Sequence, residues 1–154
     1  MLFVSLLLME DYADKIASLL VSAYEIHEIV IAETGGIIGL RDAAMLHAAV
    51  ARPFATFDGQ ELYPSDFEKA AALFHSLIKS HPFMDGTKRT AFTTALFFLA
   101  DGGYGIPDSL PRAEVIRVCL SVAEENLRQG RGEKAESFST TALASWFESL
   151  LRID

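Results

Sequence analysis

The chain has 154 residues, 51% of them apolar and 22% charged, with a formal net charge of −8 and a pI near 4.9. That length suits one domain, residues 1–154, able to bury a sizeable core, and its acidity leaves no basic face for nucleic acid. The only cysteine, Cys119, excludes an internal disulfide and falls on an apolar helical stripe, where a small core residue is expected. Leu2 to Met9 is apolar but lacks a positive flank and is too short to span a membrane. A cytoplasmic protein without membrane partners is expected, with this opening read as a short strand or as a patch covered by a partner.

Ile16, Leu19, Leu20, Ala23, Ile26 and Val30 recur at helical spacing, which predicts a first helix over residues 11–33. Thr34-Gly35-Gly36 ends it, glycine being free to enter the left-handed region after a helix. His27 lies beside the stripe and is expected at the surface. A connector over Ile37–Leu40 leads to a short helix from Arg41 to Ala51, with Asp42 assisting its first turn; His47 is given no role.

From Phe54 to Tyr63, two short aromatic-bearing runs flank Asp58-Gly59, a favoured hairpin turn pair. An open hairpin edge can accept an added strand. A plain ordered loop with Phe54 and Phe57 packed on the core is the other reading. Pro64 and Ser65-x-x-Glu68 then form a capping box, and Phe67, Ala70, Ala71, Phe74, Leu77 and Ile78 make a core-facing stripe that runs to Lys79. His75 falls on the opposite side, and its spacing from His81 and Asp85 fits no compact metal site.

The run from His81 to Ala91 carries the chemistry. It holds a histidine, a carboxylate, a glycine and two adjacent cations between two helical patterns. An imidazole can take a proton from a hydroxyl, and the Asp85 carboxylate is a hard oxygen ligand suited to Mg²⁺. Gly86 opens a helix whose first N–H groups have no intrahelical partner, so those of Gly86 and Thr87 can face an anion. Lys88 and Arg89 place two positive charges where phosphate oxygens would lie. Because a helix N-terminus is already partly positive, cations there are unfavourable unless an anion offsets them. Base, metal ligand, anion nest and cations together make a phosphoryl-transfer set; a merely tight helix–turn–helix is the other reading.

Arg89 to Ala100 is apolar nearly all round, which predicts a buried central helix, and Asp101-Gly102-Gly103 stops it. Pro111 opens a helix bearing Val115, Val118, Cys119 and Val122. Gln129 to Ser137 reads as a loop, and Leu143, Trp146, Phe147, Leu150 and Leu151 mark a last amphipathic helix.

The motif resembles the signature of the Fic/Doc superfamily and, within it, the Doc branch of death-on-curing toxins, H-x-F-x-[D/N]-[G/A]-N-K-R. His81, Phe83, Asp85, Gly86, Lys88 and Arg89 match it; Thr87 replaces its Asn. The likeness extends through Gly39-Leu40-Arg41-Asp42, Ala51-Arg52-Pro53 and Leu62-Tyr63-Pro64 to about Gly103. It implies an all-α bundle of about six helices around a central buried one, with a short hairpin or flap over residues 53–64. His81 would be the general base, Asp85 the Mg²⁺ ligand, and Gly86, Thr87, Lys88 and Arg89 the phosphate site of ATP. Pro82 and Phe83 would stiffen and anchor the loop, while Phe57, Asp58, Gly59 and Gln60 would dock the target protein by strand-like pairing.

Fic enzymes that transfer AMP carry Gly at the position of Lys88 and a second Arg at that of Phe92. Both differences point instead to the Doc pattern, in which the γ-phosphoryl of ATP moves to a hydroxyl of a target, elongation factor Tu, and translation stops. A protein antitoxin is implied as a second partner. Thr87 offers one short hydroxyl where Asn offers an amide donor and an acceptor, so AMP transfer and a catalytically silent binding module stay open. Ser121 to Asn126 also fits the degenerate Ser/Thr-x-x-x-Glu-Gly/Asn inhibitory pattern of some Fic proteins through Glu125; a solvated helix face is the reading adopted.

Overall fold

The computed structural model describes residues 2–132 and 138–152, apart from the side chains of 2–11, 126 and 129. Its helices are α1 (Leu2–Thr34), α2 (Ala43–Ala51), α3 (Asp66–Ser80), α4 (Thr87–Asp101), α5 (Arg112–Gly130) and α6 (Thr140–Leu151). A 3-10 turn (Arg52–Phe54) and a two-stranded antiparallel hairpin, β1 (Thr56–Phe57) and β2 (Gln60–Glu61), lie between α2 and α3. The fold is all-α.

Local signals set the helix starts. Asp42 caps α2 by accepting from the Met45 N–H at 3.1 Å. Ser65 accepts from the Glu68 N–H and Ser139 from the Ala142 N–H, each at 3.1 Å, which satisfies donors that a helix N-terminus leaves orphaned. The opening residues continue α1 as helix rather than forming a strand: Leu2–Met9 contains no proline or glycine to interrupt it. Similarly, α5 runs on to Gly130, and residues 133–137 of the expected loop lie outside the described residues.

The deepest helix is α3. Ala70, Ala71, Ala72, Leu73, Phe74, Leu77 and Ile78 are all buried, and three successive alanines let neighbours approach on more than one side. It packs against α2, α4, α5 and α6. The run expected to be central, α4, buries one stripe of Thr87, Thr90, Ala91, Thr94, Ala95 and Leu99, while Phe97 is 42% exposed. High mean apolarity did not distinguish a face from a surround. Phe74, Phe92, Trp146 and Phe147 join α3, α4 and α6 in an aromatic cluster, with the Phe74 and Phe147 rings edge-on at 5.4 Å. The Trp146 indole N–H donates to Glu114 at 3.1 Å, which ties α6 to α5.

Candidate functional site

The loop from α3 to α4 is held from behind. His81 ends α3 in the left-handed region, φ 48° and ψ 59°, a conformation that costs a residue with a Cβ about 1–2 kcal/mol. Pro82 is buried, Phe83 is fully buried, and the connector after α1 pairs with them. Leu40 and Phe83 form an antiparallel bridge, Met84 N–H donates to Gly39 C=O at 2.9 Å, and Arg41 and Asp42 N–H both donate to Pro82 C=O. The Arg41 guanidinium reaches the same place with its side chain. Its Nε donates to His81 C=O at 2.7 Å and its Nη2 to Ser80 C=O at 2.8 Å. These carbonyls end a helix, where a cation is favoured. The imidazole of His81 itself is exposed: its backbone is fixed while its ring stays available.

His27 is a structural residue that the sequence reading placed at the surface. It is fully buried, stacked on Phe83 with ring centroids 4.1 Å apart and planes 13° apart. Its Nε2 accepts from the Gly39 N–H at 3.3 Å, and Nδ1 lies 3.3 Å from Thr90 Oγ1. With Nε2 accepting, a neutral ring carries its proton on Nδ1 and donates it to Thr90. Burial, the largest influence, lowers the His27 pKa against the pull of Glu28 and Asp85. One neutral imidazole therefore links α1, the connector, the motif loop and α4.

Asp85 is aimed by two backbone amides. Oδ1 accepts from Gly86 N–H at 2.8 Å and Oδ2 from Ile37 N–H at 3.2 Å. Those two bonds, Gly86 first, pull its carboxyl below the usual carboxylate range, with help from Arg89. Gly36 leaves the room for this: a Cβ there would sit 2.6 Å from Asp85 Oδ2. Gly86, at φ 69°, then caps α4 with no side-chain hydrogen bond. The helix begins with the bond from Thr90 N–H to Gly86 C=O, so the amides of Thr87, Lys88 and Arg89 have no intrahelical partner; the Gly86 N–H, expected to face an anion, is instead taken by the Asp85 carboxylate. Among the described residues, neither Lys88 nor Arg89 forms an ion pair. Thr87 is only 4% exposed, and its hydroxyl is buried with no hydrogen-bond partner among the described residues.

A cleft of about 430 Å³ gathers these groups. His81, Asp85, Gly86, Thr87, Lys88 and Arg89 line its polar end, and Met84, Phe92, Thr93 and the α5 residues Val115, Ile116, Cys119 and Leu120 line the other. Burial pushes the Cys119 thiol up to about 11, so it is no nucleophile at neutral pH. The cleft thus joins an anion-binding mouth to an apolar wall, the two surfaces that a phosphorylated ligand with a flat ring system requires. For Mg²⁺ the fit is partial: no group of three or more His, Cys, Asp or Glu that could hold a metal exists among the described residues. Asp85 alone would hold an ion whose remaining ligands are phosphate and water oxygens, as Mg²⁺ permits.

The hairpin reading also holds against the loop alternative. Asp58 and Gly59 both take positive φ, 52° and 77°, as a type I′ turn requires. Phe54 is buried but Phe57 is 76% exposed at the tip, so it does not pack on the core. Phe57, Asp58, Gly59 and Gln60 do not line the cleft. Glu125, of the degenerate inhibitory pattern, pairs with Lys79 at 3.3 Å near the end of α3 and is largely covered rather than solvated. His75 is half-buried, its pKa lowered chiefly by burial. Arg41 was the functional neighbour that residue type alone did not reveal.

A histidine loop laid over a helix N-terminus within an all-α bundle is the arrangement of the Fic/Doc family, and residues 20–99 match the profile of that family, described as Fic/DOC. The chain belongs to it. Its relatives place it in the Doc branch. It is 49% identical over 69 residues to a protein named Toxin Doc from Mycolicibacterium smegmatis, covering 45% of this chain and 53% of that protein. It is 31% identical over 90 residues to Protein kinase doc of Escherichia phage P1, covering 58% of this chain and 71% of that protein. The chain spans about half the length of the first of these relatives. Among the described residues no helix is long and apolar enough to cross a membrane.

Proposed function

We propose that this protein is a cytoplasmic Doc-type toxin that transfers the γ-phosphoryl group of ATP to a hydroxyl of a target protein. The observation that carries this reading is the pair Lys88 and Arg89, which form no ion pair among the described residues, in the first turn of α4 and sharing one cleft with His81 and Asp85. Two cations at the positive end of a helix are held at a cost that a bound polyphosphate removes. The name of the phage relative, Protein kinase doc, supports phosphoryl rather than nucleotidyl transfer.

In this mechanism the amides of Thr87, Lys88 and Arg89 and the two cationic side chains bind the phosphates and hold their charge. Asp85 would hold Mg²⁺, which when bound neutralises charge on the phosphate oxygens. The His81 imidazole takes the proton of the target hydroxyl as its oxygen bonds to the γ-phosphorus. The bond from that phosphorus to the bridging oxygen breaks, and ADP leaves. The exposed hairpin, tipped by Phe57, docks the segment that carries the hydroxyl. Elongation factor Tu as target, a translation block as outcome and a protein antitoxin as second partner follow from the family resemblance.

One observation favours a second reading. The Thr87 hydroxyl is buried with no hydrogen-bond partner among the described residues, and it is shorter than the amide of the motif Asn. A silent binding module is the alternative on that ground.

Label transfer decides. Purified protein, Mg²⁺ and a bacterial lysate are incubated with ATP labelled at the α or the γ phosphate. Transfer of γ label, lost in His81→Ala, is the expected result; transfer of α label would establish AMP transfer instead. If neither moves, rescue by Thr87→Asn would show a site disabled at one position, and continued silence would leave the binding module.

A further inference from the structure

Far from the motif, three side chains converge on the base of the hairpin. The Tyr12 hydroxyl, from α1, donates to Glu61 of β2. The Lys69 ammonium, from α3, lies 3.1 Å from the same carboxylate and donates also to the Tyr63 carbonyl. Lys69 is more than nine-tenths buried, and a lysine so placed needs both its charge and its donors satisfied. Its ammonium's partners among the described residues, Glu61 and Tyr63, both belong to the hairpin arm. Two further contacts brace that arm: Leu62 N–H donates to Ala55 C=O at 3.0 Å, and Arg52 Nε donates to the Tyr63 hydroxyl at 3.1 Å while its guanidinium lies over that ring.

A free two-stranded hairpin with a two-residue turn is marginal in water. This one has two paired positions, an exposed tip and no apolar face of its own. Its placement therefore comes from its anchors. The principal anchor, Lys69, stands near the N-terminus of α3, and His81 ends the same helix. Twelve residues of unbroken helix separate them, about 18 Å along one rigid axis.

We propose that Tyr12, Glu61 and Lys69 are positioning residues: their clasp fixes the hairpin to α3 and so sets where a docked target segment lies relative to the imidazole at the far end of that helix. This inference rests on the transfer reaction proposed above. The clasp acts on the protein substrate alone. Nothing in it touches the cleft that would hold ATP.

The test compares Glu61→Ala, Glu61→Gln and Lys69→Met with the wild type, using two readouts. Hydrogen exchange of the amides over residues 55–63 reads the clasp without reference to any reaction. Steady-state label transfer reads its consequence, as separate KM values for the target protein and for ATP. Glu61→Ala is expected to speed exchange of the hairpin amides about tenfold or more and to raise the target KM about tenfold, with the KM for ATP unchanged within twofold. Glu61→Gln, which keeps an acceptor for Tyr12 and Lys69, should show a smaller change in both. Lys69→Met should resemble Glu61→Ala if it folds, and Glu61→Ala, at a strand surface, serves where it does not.

Unchanged exchange in Glu61→Ala would overturn the proposal. So would faster exchange with an unchanged target KM, because the hairpin would then be held without its position mattering. If the wild type itself moves no label, the transfer reaction falls and the positioning role with it, while the exchange comparison still reports separately whether the clasp holds the hairpin.

Discussion

Gly36 and Gly35 offer a controlled pair for the reasoning about Asp85. Both sit at positive φ, 116° and 81°, so alanine at either carries a backbone cost of about 1–2 kcal/mol. For a chain of this size that corresponds to a loss of about 2–8 °C in Tm. The two differ in what a Cβ would meet. At Gly35 nothing lies within 4 Å; at Gly36 the new atom would stand 2.6 Å from Asp85 Oδ2, 3.0 Å from Asp85 Cγ and 3.2 Å from Ile31 Cδ1. The carboxylate must swing away, and its bond from the Ile37 N–H, already 3.2 Å long, breaks. Misplacement of a reacting group by about 1 Å can cost about 100-fold in rate; a displacement of several tenths predicts a loss of about 10- to 100-fold for Gly36→Ala. Gly35→Ala should stay within about threefold. The assay is γ-label transfer across a Mg²⁺ titration, with thermal melting of both variants alongside. Gly36→Ala should need more Mg²⁺ for half-maximal transfer, while Gly35→Ala should not. Equal activity and equal Mg²⁺ dependence in the two variants, at comparable Tm, would refute the claim that the connector aims Asp85.

Two further outcomes test the strain at His81 and the buried His27. His81→Gly relieves a left-handed φ of 48°, so thermal melting should show a gain of about 1 kcal/mol, or about 2–4 °C, while label transfer drops by about 10²–10⁴; a lower Tm would show that the side chain contributes to the fold after all. His27 has a folded-state pKa below its ordinary 6.5, so the unfolded chain binds the extra proton first and stability falls as pH drops from about 6.5 towards the folded value. His27→Gln removes that contribution, and denaturant unfolding between pH 7.5 and 5 should fall less steeply for the variant than for the wild type; parallel slopes would contradict a neutral buried imidazole.

Much of this was legible in the sequence for identifiable reasons. The caps at Asp42 and Ser65, the Asp58-Gly59 turn and the stripe of α6 are local signals, and local signals survive folding when nothing opposes them. The motif drew notice because its residue types, a histidine, a carboxylate, a glycine and two adjacent cations, are unusual together at a helix start. His27 was not, because its surroundings come from elsewhere. On α1 it lies two residues after Glu25 and directly before Glu28, which reads as a solvated face; the ring that covers it, Phe83, arrives from the loop after α3. Arg41 was missed for a similar reason, since an arginine at a helix start gives no sign that it will reach the carbonyls ending another helix. The centrality of α3 over α4 turned on three alanines, whose weak hydropathy hides how closely they let other helices approach.

The strained positions themselves argue that the motif is a site and not a tight turn. A turn selected for stability would place glycine at the left-handed position that His81 occupies and acidic residues where Lys88 and Arg89 stand. Each departure costs a fraction of a kcal/mol to about 2 kcal/mol, against a total stability of about 5–15 kcal/mol for a domain. The neighbouring elements hold this loop: Arg41 braces the backbone of His81, His27 stacks on Phe83, and Ile37 aims Asp85. Local rules broken together within one loop that its surroundings brace are what a functional constraint would produce. An anion drawn into the first turn of α4 would offset the charge-based part of that cost directly, leaving the left-handed histidine as the part that only the chemistry of its ring explains.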